Sequence, residues 1–353
     1  MKAIKTGLSR RSVLKLGMGS AAASLLAMPA IGRAAPTSLS VANGGGALGD
    51  AFKAACFDTF EKKTGIKIIS APYMEGARLK AMVEAGAVDI DVTDTDSSEA
   101  APLAVAGLLD EIDYSVVPKT GLIDGAATKY WTSCYVAGCV LAWNTESAEE
   151  SGRPKNWEEF FDPKVKGRRT LWKNAAQTME VAALGAGQTL DKLYPLDIDR
   201  AFAKLDGIRS SISWWTSGAQ SAQLLANGDA DFGMCWNGRV DPVKQQGGPI
   251  DYTFDYSLHT PGIWSLPKGG RNRDAAMKFI AHCMDPEVQA AFSKLIPYGP
   301  TNDAAFDLLS PEERARMPSA PENRKLSVAI NGDYWLENGT KIYERFNTWV
   351  VSQ

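Results

Sequence analysis

Histidine is nearly missing from this chain. His259 and His282 are the two imidazoles among 353 residues, so acid–base and metal chemistry have little to draw on. His282 stands beside Cys283 inside an apolar helical pattern and reads as structural. No HExxH, no GxSxG and no P-loop occurs, and no cysteines sit at metal-ligand spacing. Zinc hydrolysis, serine-nucleophile chemistry and nucleotide phosphate binding therefore have no motif to stand on. Gly44-Gly45-Gly46-Ala47-Leu48-Gly49 is glycine-rich but lacks the acid roughly 20 residues on that a dinucleotide fold requires. Its better use is close approach of the backbone, at Gly45, to a ligand. Asp94 and Asp96 lack the glycine and final glutamate of a calcium loop. Neither catalysis, metal nor cofactor is expected.

Acid is missing from the first 34 residues, which carry Lys2, Lys5, Arg10, Arg11, Lys15 and Arg33. Ser9-Arg10-Arg11-Ser12-Val13-Leu14-Lys15 is followed by an uncharged apolar run from Leu16 to Ile31 and small residues around Ala34. Basic head, short apolar middle and small-residue exit form an export signal of the twin-arginine type, with Val13 where a phenylalanine is usual. Cleavage is expected near Ala34. The run falls short of the roughly 20 residues that span a bilayer, which argues against an anchor. Losing those six cations takes the net charge from -3 to about -9, which makes nucleic acid and anionic lipid poor partners. Five cysteines are an odd number for an oxidising compartment, and buried free thiols are the default reading, with a Cys134–Cys139 bridge as the alternative.

The mature region, about 319 residues, is long enough for two domains. It alternates strand-like and helix-like segments. Strands are predicted at 39–42, 66–70 and 89–93, with helices at 50–64, 76–85 and 99–106 between and after them. A crossing segment at 137–144 leads to strands at 169–172, 211–214 and 231–235, again alternating with helices. Ser217 is placed to cap a helix that Gly228 ends. A strand at 263–266, helices at 277–284 and 287–295, and a C-terminal helix at 337–350 complete the pattern. This order predicts an α/β fold of two lobes, each a mainly parallel sheet flanked by helices, joined by a two-strand hinge. The expected boundaries are 36–138 plus 263–302 for the first lobe and 145–252 plus 303–353 for the second. The hinge falls near 138–146 and 252–264.

Several segments carry a family resemblance in order: Phe60-Glu61-Lys62-Lys63-Thr64-Gly65, Gly107-Leu108-Leu109-Asp110-Glu111-Ile112-Asp113, Asn156-Trp157 with Asp162-Pro163, Trp236-Asn237-Gly238, Pro267-Lys268-Gly269, and Ile296-Pro297-Tyr298-Gly299-Pro300-Thr301-Asn302. Together they resemble the periplasmic solute-binding proteins of ABC transporters, of the polyamine (spermidine/putrescine) family. The resemblance implies the two-lobed type II fold. It also implies capture of a small amine-containing solute in the inter-lobe cleft, delivery to permease subunits, and a single-chain working form. A protonated amine is held by carboxylates and by indole faces, at the carboxyl ends of strands where loops converge.

Candidates at such ends are Asp94 and Asp96 after the strand at 89–93, Asn174 and Gln177 after the strand ending at Trp172, Trp214 and Trp215, and Trp236. The resemblance assigns ligand stacking to Trp236 and adds Tyr298. Four features depart from the polyamine pattern. Asn174 and Gln177 replace acids, the segment His259-Thr260-Pro261-Gly262 carries no acid, Gly44 stands where an aromatic is usual, and Trp335 falls where an amide is usual. Replacing carboxylates by amides removes charge-assisted bonds of roughly 1.5–3 kcal/mol each. Arg239, just after Trp236-Asn237-Gly238, could instead hold a carboxylate bidentately. With Asp94 or Asp96 taking the amine, the site would suit a zwitterion such as an ω-amino acid. The plainer reading pairs Arg239 with Asp241 or Asp229 at the surface. A ferric-ion binder of the same fold would want a Tyr-Tyr pair, which is absent.

Overall fold

Parallel strands need crossover connections, and the helical periods of the sequence supply them. The computed structural model describes residues 36–123, 125–148 and 152–352; the expected leader, 1–34, lies outside the described residues. The strands are β1 Ser38–Asn43, β2 Lys67–Pro72, β3 Val92–Asp96, β4 Trp131–Asn144, β5 Arg169–Trp172, β6 Ile212–Trp215, β7 Phe232–Trp236, β8 Ile250–Ser265, β9 Gly299–Pro300 and β10 Ser327–Ala329. The helices are α1 Gly46–Phe52, α2 Asp58–Thr64, α3 Gly76–Glu84, α4 Ser97–Val105, α5 Trp157–Phe160, α6 Ala175–Gly185 and α7 Ile198–Ile208, then α8 Gly218–Ala226, α9 Asn237–Gln245, α10 Arg273–Cys283, α11 Pro286–Leu295, α12 Pro311–Ala315, α13 Pro321–Arg324 and α14 Gly332–Val351. A π-type turn, Lys53–Phe57, joins α1 to α2.

The strands form one sheet in the order β2-β1-β3-β8-β4-β7-β5-β6, with β10 added to β8 and β9 to β4. At one end β1 pairs β2 and β3 in parallel, and at the other β5 pairs β6 and β7 in parallel. Two long antiparallel strands, β4 and β8, link these ends and pair with each other along their length. The ladder between them slips between Ser133 and Tyr135 and between Cys139 and Leu141. At the second slip Tyr256 adopts φ 59°, a left-handed conformation that is rare for a side chain of its size.

The apolar faces pack into separate clusters on either side of the crossing strands. Phe52, Phe60, Trp264, Phe279 and Phe292 anchor one. Trp157, Phe160, Phe202, Phe232, Trp335 and Phe346 anchor another. The C-terminal α14 contributes Trp335, Ile342, Phe346 and Val350 to the second cluster. Residues Ala305, Phe306 and Leu309 pack instead with Ala290 of α11.

Three expectations need correction. The strand expected at 89–93 is β3, Val92–Asp96; Asp91 is used instead as a side-chain acceptor for the Ser40 N–H at 2.9 Å. Asp94 therefore lies within the strand rather than after it, and Asp96 caps α4. The hinge strand expected at 252–264 and the separate strand expected at 263–266 are one element, β8, of 16 residues, and β4 begins at Trp131 rather than Ala137. Trp335 falls inside α14, which starts five residues earlier than the apolar period of the sequence indicates, because Asn331 caps it through the Tyr334 N–H.

All five cysteines are buried and unpaired, so no Cys134–Cys139 bridge forms. Among the described residues no helix is long and apolar enough to cross a membrane. Intact-protein mass spectrometry after maleimide treatment is expected to show no adduct on the native protein and five on the denatured protein. Fewer than five in denaturant would reveal a bridge.

Candidate functional site

The loop after β1 is shaped by its glycines. Gly45 has φ 61° and ψ -167°, a region that a Cβ excludes, and its N–H donates to Asn43 Oδ1 at 3.0 Å. Beside this loop lies Asp94, 4% exposed. Asp94 Oδ1 accepts from the Tyr135 hydroxyl at 3.0 Å, and the Gly44 N–H faces the carboxyl. Burial outweighs both donors and pushes the Asp94 pKa up to about 8. Asp96 is engaged differently: its Oδ1 accepts from the Ser98 N–H at 2.8 Å and the Ser98 hydroxyl at 2.5 Å.

From the other end of the sheet come α6, α9 and an aromatic group. Trp236 ends β7, and its ring meets those of Trp172 and Trp215 edge-on at 5.1 and 5.0 Å. Trp172 and Trp215 stack on each other at 5.5 Å. The Trp236 Nε1–H donates to Gln177 Oε1 at 2.9 Å. Asn174 caps α6 through the Ala176 N–H at 2.9 Å and accepts from the Tyr343 hydroxyl at 3.2 Å.

Each residue of Trp236-Asn237-Gly238-Arg239 has a separate task. Asn237 is buried; its Oδ1 accepts from the Gly138 N–H at 2.9 Å, and its Nδ2 donates to the carbonyls of Pro297 at 2.5 Å and Arg316 at 3.2 Å. Gly238 lies so close to the Tyr298 ring that a Cβ would collide with it. Arg239 packs against Gly218 and reaches toward the β1 loop, where a Cβ on Gly46 would sit 3.8 Å from its Nη1. The guanidinium lies against the Tyr298 hydroxyl, and its Nε is buried with no hydrogen-bond partner.

The surface pairing with Asp241 is not made. Asp241 is taken by Arg316, whose Nε donates to Oδ2 at 2.9 Å, and by the Tyr252 hydroxyl at 2.9 Å. Tyr298 is buried and stacks on Tyr135 at 5.4 Å. Asp94, Tyr135, Tyr298 and Arg239 thus form a contiguous run between an acid and a base. Among the described residues, no ion pair joins that acid to that base.

The other candidates separate. Trp214 and Trp215 are successive strand residues and point to opposite faces, both inside β6 rather than after it. Trp214 packs against Phe346 and Trp349 of α14. Trp215 is fully buried, donates to the Met234 carbonyl at 3.0 Å, and backs Trp236. Trp335 is buried and donates to Glu180 Oε1 at 2.6 Å. Sequence reasoning missed Tyr135, Trp172 and Glu180. For Glu180 the signal was available: it is the one acid in the apolar run 175–186. Among the described residues, no group of three or more His, Cys, Asp or Glu side chains could hold a metal ion.

Comparison with known proteins bears on the family and the fold. Residues 55–322 match the model of the bacterial extracellular solute-binding proteins. The chain belongs to this family. The gamma-aminobutyric acid-binding protein of Pseudomonas aeruginosa is 33% identical over 334 residues, 92% of this chain and 94% of that one. The spermidine/putrescine-binding periplasmic protein of Escherichia coli is 23% identical over 303 residues, covering 82% and 85%. A solved GABA receptor is 38% identical with a TM-score of 0.82, covering 88% of this chain and 97% of that one. The family resemblance read from the sequence is therefore correct, as is the α/β solute-binding fold.

Truncating Asn237 tests the pinning role. Asn237→Ala strands the Gly138 N–H and the Pro297 carbonyl, and a buried unpaired group costs about 1–3 kcal/mol. Urea unfolding should show a loss of about 2–5 kcal/mol; a loss under about 1 kcal/mol would show that these bonds do not hold the site together.

Proposed function

We propose that this protein is the periplasmic substrate-binding component of an ABC importer and that it captures a short zwitterion of the ω-amino-acid type. The observation that carries the reading is Arg239: a base drawn toward the β1 loop, its Nε unpaired and buried, with a buried acid, Asp94, beyond two stacked tyrosines. A guanidinium of this kind takes a carboxylate bidentately. Asp94, with Asp96 nearby, takes the ammonium, and Trp236 supplies an indole wall. A diamine would leave Arg239 facing a like charge, which disfavours polyamines. That the GABA-binding relatives match at 33% and 38% identity and the polyamine-binding one at 23% supports the same choice.

In this reading the two ends of the sheet act as lobes, Gly45 and Asp94 on one and Gln177, Trp236 and Arg239 on the other. They close on the solute about β4 and β8, a hinged motion of known type. The chain is exported with a leader cleaved near Ala34, works as a single copy, binds without turnover, and passes its cargo to permease subunits.

Titration calorimetry with 4-aminobutyrate, longer ω-amino acids, betaine and putrescine tests the assignment. ω-Amino acids should bind. Arg239→Ala and Asp94→Asn should each weaken them by about 100-fold, the equivalent of about 2.7 kcal/mol, and Arg239→Ala should not weaken putrescine. Micromolar putrescine binding with no ω-amino-acid binding would overturn the proposal.

A pH dependence follows from Asp94. Its pKa is pushed up to about 8 by burial in the free protein, and an ammonium beside it favours the ionised form. Binding then releases a proton below about pH 8, so affinity should fall up to tenfold per pH unit from about 8 to about 6 and be flat just above 8. Asp94→Asn should abolish the slope. A flat profile in the unsubstituted protein would show that Asp94 does not meet the amine.

A further inference from the structure

Glu180 has no part in the binding scheme, yet it is fully buried at 0% exposure. Its Oε1 accepts from Trp335 Nε1 at 2.6 Å and from the Tyr194 hydroxyl at 2.9 Å. Its Oε2 is buried with no partner. A buried carboxyl that leaves one oxygen unsatisfied calls for an explanation.

The start of α6 provides one. Ala176 is extended, with φ -62° and ψ 143°, and Gln177 has φ 67° and ψ -44°. Positive φ with negative ψ is the strained γ-turn region, and residues with a Cβ stay there only when their surroundings hold them. The regular helix begins past Gln177. Glu180 is therefore its third residue, the place from which a glutamate turns back toward the N-terminal N–H groups. Its carboxyl lies toward the Gln177 backbone N–H and attracts it without closing a regular hydrogen bond. The Gln177 side chain, 2% exposed, in turn holds the Trp236 indole N–H at 2.9 Å.

We infer that Glu180 is a positioning residue: from beneath the kink it holds the strained Gln177 turn, and through it sets the Trp236 ring in the site wall without touching the solute. The inference rests on the reading above that Trp236 forms that wall. Trp335 and Tyr194 fix the carboxyl. The Asn331 N–H in turn donates to the Tyr194 hydroxyl at 3.1 Å. The start of α14, where Gly332 approaches Ser97 of α4, is thereby tied to the same run of contacts.

Glu180→Gln isolates the role. It keeps an oxygen for Trp335 and Tyr194 and replaces the other acceptor by an amide donor that repels the Gln177 N–H. The expected result is a melting temperature within a few degrees of the unsubstituted protein, with 4-aminobutyrate bound about 10-fold more weakly. Trp236→Phe should add little in the Glu180→Gln background compared with its effect alone. In the free protein, the emission belonging to Trp236, taken as the difference from Trp236→Phe in each background, should shift to the red. Unchanged emission together with unchanged affinity, or fully additive losses, would overturn the inference.

Should Glu180→Gln not fold, Gln177→Gly suits the positive φ and removes the amide that holds the indole. It should give the same red shift, and its absence would be equally decisive against the idea. If the unsubstituted protein binds no 4-aminobutyrate, the zwitterion reading fails. The emission arm, which needs no solute, still decides the inference on Glu180.

Discussion

One buried carboxamide holds the site in register. Asn237 bonds backbone groups of three segments remote in sequence: Gly138 in the middle of β4, Pro297 before Tyr298, and Arg316 in the link that follows. An amide can do this because it carries an acceptor and two donors on one rigid plane. The residues on either side of it are consequently fixed too. Trp236 before it faces the indole group, and Gly238 after it lets the Tyr298 ring lie flat against the chain. The Trp-Asn-Gly motif is thus three different physical requirements in consecutive positions.

Built around that point, the candidate site brings a buried acid and a base near each other with no ion pair between them. Two stacked tyrosines stand between Asp94 and Arg239. Burial raises the proton affinity of the acid, while the base keeps an unused donor. A solute carrying both charges would complete each, and a solute carrying one kind alone would complete only one. In the proposed reading, discrimination comes from groups left unpaired by the wrong solute, which is stronger than discrimination by fit.

Segments with clean local signals were legible in the sequence. The strand Arg169–Trp172 lies where its residues place it, and Ser217 caps α8 ahead of Gly228 as expected. Trp236 and Arg239 came from a motif and its departure from the usual residue. The losses have particular causes. Asp89-Ile90-Asp91-Val92 alternates as a strand does, but its first residues make a loop whose Asp91 caps β1 instead, which displaced Asp94 and Asp96. Pro261-Gly262 hid the continuity of β8, which was read as a crossover strand at 252–264 and a separate strand at 263–266. The glycine is there because the Tyr135 ring occupies the space where a side chain would be, a contact between strands that no single-chain period reveals. Tyr135 was hidden for the same reason, behind polar Ser133 and Cys134 at the start of β4. The strained Gln177 turn left no local trace, since glutamine is not a residue that announces positive φ.

The slipped ladder between β4 and β8 has a mechanical meaning. Two continuous strands run between the ends of the sheet, and residues 254–257 of β8 stand outside the register with β4. That surplus is held from outside the pair: the Tyr256 N–H donates to the Leu326 carbonyl at 2.8 Å, the Tyr256 carbonyl accepts from Trp157 Nε1 at 2.8 Å, and Ser257 pairs with Ser327 of β10. Bending of β8 against β4 at that point would break no rung of the ladder between them, so the two strands would return to the same alignment, as a leaf spring does.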